Sequence, residues 1–280
     1  YCSWLSAGSS YSNHGIQMVP FYIFYSMFGF QRIGDFLWAG GDMQARGFLI
    51  GATAGRTTLA GEGLQHQDGH SLLSATTIPN CVSYDPTYAY ELAVIIKDGL
   101  KRMISDQENI FYYITCMNEN YTHPPIPKNC EKGIIKGMYL LKKSVKQENG
   151  SKPQLMGSGT ILREVEKAAH LLEKDFKIYC DVWSVTSFSE LRRESLETDR
   201  LNELNPEKKR KSSYLEELLN KQEGPFIAAT DYMKMVPDQI QKWVPGIYKT
   251  LGTDGYGRSD SRAALREHFE VDARFIVLST

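Results

Sequence analysis

Three stretches decide how this chain folds: Val19-Pro20-Phe21-Tyr22-Ile23-Phe24-Tyr25-Ser26-Met27-Phe28-Gly29-Phe30-Gln31-Arg32, then Gly55-Arg56-Thr57-Thr58-Leu59-Ala60-Gly61-Glu62-Gly63-Leu64-Gln65-His66-Gln67-Asp68-Gly69-His70, then Ile78-Pro79-Asn80 with Asp85-Pro86 and Glu91 behind it. The first runs from an apolar strand into an aromatic cluster, which can stack a flat heterocycle. The second is a glycine-rich loop whose Glu62 and His66 can bring acid/base groups to such a ring. Core packing alone does not require this combination. It points to an organic cofactor site.

Outward from these stretches, strand patterns alternate with helical ones, as in a parallel sheet covered on both faces. Residues 18–24 are predicted as a strand, 26–38 as a helix and 47–52 as a buried strand. Residues 53–74 form a polar loop whose length marks it as functional. A strand over 78–83, an amphipathic helix over 86–103 and a strand over 109–116 follow. Composition then shifts to Asn, Pro, Lys and Glu over 118–132, and 146–152 is a second polar stretch. The linker is placed between the two, which gives domains 1–145 and 146–280. The second domain opens with a strand over 154–157. Gly159 then caps a turn into a helix over 161–174, where Ile161, Leu162, Val165, Ala168, Ala169 and Leu172 recur at helical spacing. Strands are predicted over 178–185, 226–230 and 275–278, and the highly charged 194–220 reads as a solvated helical excursion.

The chain has 280 residues, 42% hydrophobic and 23% charged, a globular balance with room for two domains. A net charge of −1 exerts no pull on polyanions, and the basic run at 208–211 is offset by Glu207, Glu216 and Glu217, so nucleic acid is not an expected partner. Cys2, Cys81, Cys116, Cys130 and Cys180 are odd in number and lack Cys-x-x-Cys spacing. Neither a disulfide framework nor a zinc site is indicated, and reduced thiols in a cytoplasm or organellar matrix are expected. No apolar run approaches the roughly 20 residues of a membrane-spanning helix. The chain opens on Tyr1 without an initiator Met or a signal-peptide pattern, and it closes on an apolar run read as a strand without its covering helix. The expectation is a chain cut at both ends.

Each candidate residue also has a plainer reading. By sequence alone Phe28 fits a core, Tyr25 a core or an interface, and Glu62 a turn between two glycines. His66 sits in a polar loop, where function and simple exposure fit equally. Asp68 and His70 resemble a metal pair but lack a third ligand at useful spacing, so no metal site is expected here. The 157–159 turn before a helix resembles an anion-binding N-terminus, and a structural role is expected for it.

The same motifs resemble those of the thiamine-diphosphate enzymes of the transketolase superfamily, and within it the homodimeric first components of pyruvate dehydrogenase complexes. Residues 21–32 are similar to that family's pyrimidine-binding strand and helix, and 59–67 to its Gly-Glu-Gly…His-Gln loop. Residues 78–91 are similar to its Pro-Asn strand and acidic helix, 154–191 to its small C-terminal domain, and 251–260 to a signature segment of the bacterial enzymes. The resemblance implies an α/β fold of two parallel-sheet αβα domains, the later part of a pyrimidine-binding domain followed by a transketolase C-terminal-like domain. It also implies that thiamine diphosphate is the cofactor, with its diphosphate and Mg2+ held by an N-terminal domain outside these residues. The activating glutamate would likewise lie upstream, so the 280 residues alone would be inactive.

By the same resemblance Phe28 would stack on the aminopyrimidine, worth about 1 kcal/mol beyond buried area. Tyr25 would lie near the reacting carbonyl and the bound ring. His66 would bond the adduct or pass a proton, a role suited to an imidazole, and Glu62 would support the site across a subunit interface. The implied activity is decarboxylation of pyruvate and acetylation of the lipoyl group of a dihydrolipoamide acetyltransferase by a homodimer. Ketol transfer of the transketolase kind, or a catalytically silent binding fragment, are the alternatives.

Overall fold

The computed structural model describes residues 1–59, 61–144 and 152–280. Two short helices, α1 (Cys2–Gly8) and α2 (Ser10–His14), lead into β1 (Phe21–Phe24), α3 (Ser26–Asp42) and β2 (Phe48–Ala52). Then come α4 (Ser71–Thr76), β3 (Cys81–Tyr84), α5 (Ala89–Leu100) and β4 (Phe111–Cys116). These four strands form one parallel sheet in the order β1-β2-β4-β3, with Ile50 level with Ile114 across its centre. β2, β3 and β4 are buried along nearly their whole length, and β1 alternates exposed and half-buried residues at the sheet's edge. The third strand starts three residues later than expected, because Ile78 to Asn80 close a turn after α4. There the Asn80 side-chain amide donates to the Gly41 carbonyl and to Asn109.

Next, α6 (Glu131–Lys136) and β5 (Met138–Lys142) precede β6 (Gln154–Gly157), α7 (Leu162–Leu171), β7 (Asp181–Val185), α8 (Phe188–Leu204) and α9 (Tyr214–Leu219). The chain continues through β8 (Phe226–Ala229), α10 (Met235–Asp238), β9 (Tyr248–Leu251), α11 (Arg262–His268) and α12 (Ala273–Ser279). The second sheet has the order β5-β7-β6-β8-β9, parallel except for β5, which runs antiparallel to β7. Met138 to Lys142 thus pair into the second sheet although they lie before residue 145. Most of the polar stretch at 146–152 falls outside the described residues.

One prediction is overturned. Residues 275–278 are not a strand but part of α12: the Asp272 carboxylate accepts the Arg274 and Phe275 amides as a helix cap. Ala273 and Ile276 then fall on one face, and both are buried in the core of the second domain. The β-branched Ile276 and Val277 suggested a strand that the cap and the i,i+3 burial override. The charged 194–220 stretch carries the second half of α8 and α9, and its Leu215 and Leu219 are fully buried.

The two sheets share a core. One apolar cluster joins Leu49, Phe111 and Tyr113 of the first sheet to Met156, Trp183 and Phe226 of the second. Polar bonds cross the same junction. The Asp85 amide donates to the Thr186 carbonyl, and the Ser187 hydroxyl donates to the Ser83 carbonyl. Glu91 caps α5 by accepting the Thr87 and Tyr88 amides, while its other oxygen accepts Tyr139 Oη at 2.7 Å and Ser184 Oγ at 2.6 Å. All donors to this fully buried carboxylate come from the two ends of the junction, so Glu91 serves as a joint.

Candidate active site

The carboxyl ends of parallel strands are where open α/β sheets bind ligands, because loops there can converge without blocking the ladder. β1 ends at Phe24, Tyr25 forms the turn, and Phe28 lies on the first turn of α3, its amide donating to the Tyr25 carbonyl at 3.0 Å. Ser26 is buried and donates to the Thr53 carbonyl just beyond β2, which fixes this turn against the start of the long loop.

That loop brings His66 back to the same place. A single 3-10 turn, Leu64–His66, sets the imidazole against Tyr25, with ring centroids 5.2 Å apart and planes 25° from parallel. Phe28 meets the same imidazole edge to face at 5.2 Å. Glu62 Oε2 lies 3.2 Å from His66 Nδ1, a buried nitrogen with no well-aligned hydrogen-bond partner. Tyr25, Phe28, Glu62 and His66 are therefore one cluster. The Arg32 guanidinium covers the Phe28 ring at 4.1 Å, a flat cation on an aromatic face.

What holds the loop lies in the second domain. Its first residues are buried under the second domain, where Asp231 accepts the Thr57 amide at 2.8 Å, the Thr58 amide at 3.1 Å and both threonine hydroxyls at 2.6 Å. Burial pushes the Asp231 carboxyl up, and the Thr57 and Thr58 donors pull it back down. Gly55 makes room for this carboxylate: its φ is +86°, and a Cβ there would collide with Asp231 Oδ2. Arg56 donates to the Thr253 and Gly255 carbonyls, and Arg262 Nε to the Thr58 carbonyl at 2.7 Å. The adjacent hydroxyls of Thr57 and Thr58 were the available signal, since a buried pair of donors needs an acceptor.

Other candidates have structural partners. Asp68 accepts the His70 and Ser71 amides at the start of α4, and His70 Nε2 lies 2.9 Å from the Gln31 side-chain amide. No group of three His, Cys, Asp or Glu among the described residues is placed to hold a metal. The Gly159 amide donates to the Asp85 carbonyl, and the Gly159 carbonyl accepts the Thr87 hydroxyl. Asp85 is buried at the same junction, and burial pushes its carboxyl up to about 7, with Asp231 and Glu91 pushing the same way and Thr115 and Ser158 opposing.

Comparison with known proteins adds relatives to this geometry. The family described as "Pyruvate dehydrogenase E1 component middle domain" matches residues 1–124, and the "Transketolase-like TK C-terminal domain" matches residues 137–272. The chain is 64% identical over 278 residues to the pyruvate dehydrogenase E1 component of Pseudomonas aeruginosa, and 56% identical over 280 residues to that of Escherichia coli K12. Each alignment covers 99% of this chain and 31% of the relative, so the chain spans about a third of their length. Among solved structures, transketolase from Campylobacter jejuni superposes with a TM-score of 0.66 at 18% identity, over 99% of this chain and 38% of that one. At that identity the likeness shows the fold alone.

Proposed function

Because the chain belongs to the pyruvate dehydrogenase E1 component family, we propose that it supplies the ring-binding and proton-handling part of an enzyme that decarboxylates pyruvate with thiamine diphosphate. The acetyl group would pass to the lipoyl group of a dihydrolipoamide acetyltransferase, feeding acetyl-CoA formation. The observation that carries this reading is the convergence of Tyr25, Phe28, Glu62 and His66 at the carboxyl end of the first sheet.

One feature fits the cofactor's aminopyrimidine: a flat cation, the Arg32 guanidinium, already rests on the Phe28 face. When bound, thiamine diphosphate supplies a carbon nucleophile and an electron sink for loss of carbon dioxide from a 2-oxo acid. Phe28 would hold the ring on the face that Arg32 now covers, and Tyr25 and Phe28 together would keep water from that side. With Nδ1 turned to Glu62, His66 would hold or move a proton at Nε2, and Glu62 would fix the ring's orientation. In this reading the diphosphate and Mg2+ bind on a further domain of the family's polypeptide, the enzyme works as a homodimer, and its compartment is a bacterial cytoplasm or an organellar matrix. Among the described residues no helix is long and apolar enough to cross a membrane.

The test uses the full-length polypeptide that carries this chain, given pyruvate, thiamine diphosphate, Mg2+ and a lipoyl domain. Carbon dioxide release coupled to lipoyl acetylation is expected, with loss of both when the cofactor is omitted. Turnover of ketose phosphates in place of pyruvate would overturn the substrate, and failure to turn over either class would overturn the enzymatic reading.

A further inference from the structure

The proposed role of His66 raises the question of what sets its position, since the turn that carries it is only three residues long and its neighbours Leu64 and Gln65 are exposed. Gln67, next in sequence, has no exposed surface. Its side-chain amide joins two backbone groups from different domains: Nε2 donates to the Leu59 carbonyl at 3.1 Å, and Oε1 accepts the Arg258 amide at 2.7 Å. The Gly61 amide in turn donates to the Asp260 carbonyl at 3.2 Å. The second domain thus grips the loop on both sides of Glu62 and His66.

We propose that Gln67 is a positioning residue for His66, acting by pinning the 61–67 turn to the second domain at Arg258. The inference rests on the reading of His66 given above and assigns the second domain a part in it. Residue chemistry explains the choice of a glutamine. A single side chain must donate at one end and accept at the other. Leucine offers neither group, and glutamate would set a carboxylate against the Leu59 carbonyl oxygen. The second-domain segment also approaches too closely for any other side chain at Gly257, where a Cβ would lie 2.6 Å from Gln67 Oε1 and 2.7 Å from the Leu64 carbonyl oxygen. Without the pin the second domain holds the turn only through the Gly61–Asp260 bond, and the imidazole loses its fixed relation to Tyr25 and Glu62. Displacements of about 1 Å in a catalytic group cost up to about 100-fold in rate.

The test compares Gln67→Leu and Gly257→Ala in the full-length enzyme, each alone and Gln67→Leu also combined with His66→Ala. Gly257→Ala pushes on the same contact from the second domain, so it serves if Gln67→Leu does not fold. Three quantities are read: hydrogen exchange of a peptide spanning 61–67, kcat and KM for pyruvate, and the melting temperature. Exchange at 61–67 should rise about 10-fold in both single variants. kcat should fall about 10-fold or more while KM stays within about 3-fold. In the His66→Ala background, Gln67→Leu should cost less than about 2-fold further, because the two residues act through one group.

Unchanged exchange in both single variants would overturn the pin. Faster exchange with parental kcat, or a full additional loss in the His66→Ala background, would overturn the positioning role. Parental turnover in His66→Ala alone would instead sink the reading of His66, and with it the positioning role, while the exchange result still reports on the pin itself.

Discussion

The imidazole of His66 lies 5.2 Å from the phenol ring of Tyr25, nearly parallel to it, although the two residues come from the turns that follow different strands of the first sheet. Stacking of this kind orients the imidazole, and the nearby Glu62 fixes which nitrogen faces the protein. A ring so held is compatible with the proton-handling role proposed for it.

Replacing His66 with Ala in the full-length enzyme is therefore expected to lower turnover about 100-fold or more. Affinity for thiamine diphosphate should change little, because in the proposed reading it rests on the ring contact at Phe28 and on the diphosphate. Steady-state kinetics at saturating cofactor, together with calorimetric cofactor titration, separate the two quantities. A parallel fall in melting temperature and cofactor affinity would mean that His66 is a packing residue.

Glu91 gives a stability prediction. Removing its carboxylate in Glu91→Ala leaves the Thr87 and Tyr88 amides and the Tyr139 and Ser184 hydroxyls without their acceptor in a fully buried place. A loss of about 3 kcal/mol is expected in urea unfolding. A loss under about 1 kcal/mol would show that the junction rests on apolar packing alone.

Asp85 gives a pH dependence. Its carboxyl sits at about 7 in the fold against an ordinary 3.8, so the folded state keeps a proton that the unfolded state has given up. The Asp85 contribution to stability is whole below about pH 4 and is lost as pH rises through about 7, with a slope of up to about 1.4 kcal/mol per pH unit. Asp85→Asn should remove that slope from urea unfolding measured between pH 5 and pH 7. Equal slopes in parent and variant would show that Asp85 ionises at its ordinary pH.

The exposed edge of the first sheet predicts association. β1 pairs only with β2 among the described strands, and Phe21 and Ile23 are 50% and 66% exposed, near an upstream stretch with Ile16 and Met18 also open to solvent. An apolar strand edge recruits further strands. The 280-residue chain should self-associate in light scattering, and Ile23→Lys should shift it towards monomer. A parent that runs as a single monomeric species at high concentration would refute this.

Alternating strand and helix patterns read well from the sequence because buried parallel strands such as β2 and β4 are continuous apolar runs. β5 and β9 escaped because each is a short edge strand: β5 runs out into Leu141 and Lys142, and β9 carries an exposed Lys249. α12 reads as a strand in the sequence because two β-branched residues outweigh a cap three positions upstream of Phe275. At the candidate site, local motifs picked out Tyr25, Phe28, Glu62 and His66, which the fold brings into one cluster. Their supports Asp231 and Arg258 lie far along the chain, and a distant acceptor or a backbone amide leaves no mark in the residues it serves.

The shared junction also limits how such chains can be recombined. A chimera that takes the first sheet from one relative and the second from another inherits half of each cross-sheet bond from each parent. Where the donor at position 184 or 139 differs, the Glu91 carboxylate arrives without its partner, and where position 231 differs, Thr57 and Thr58 do. Compatible crossovers are those that carry these positions together, so the two halves are expected to be inherited as one block.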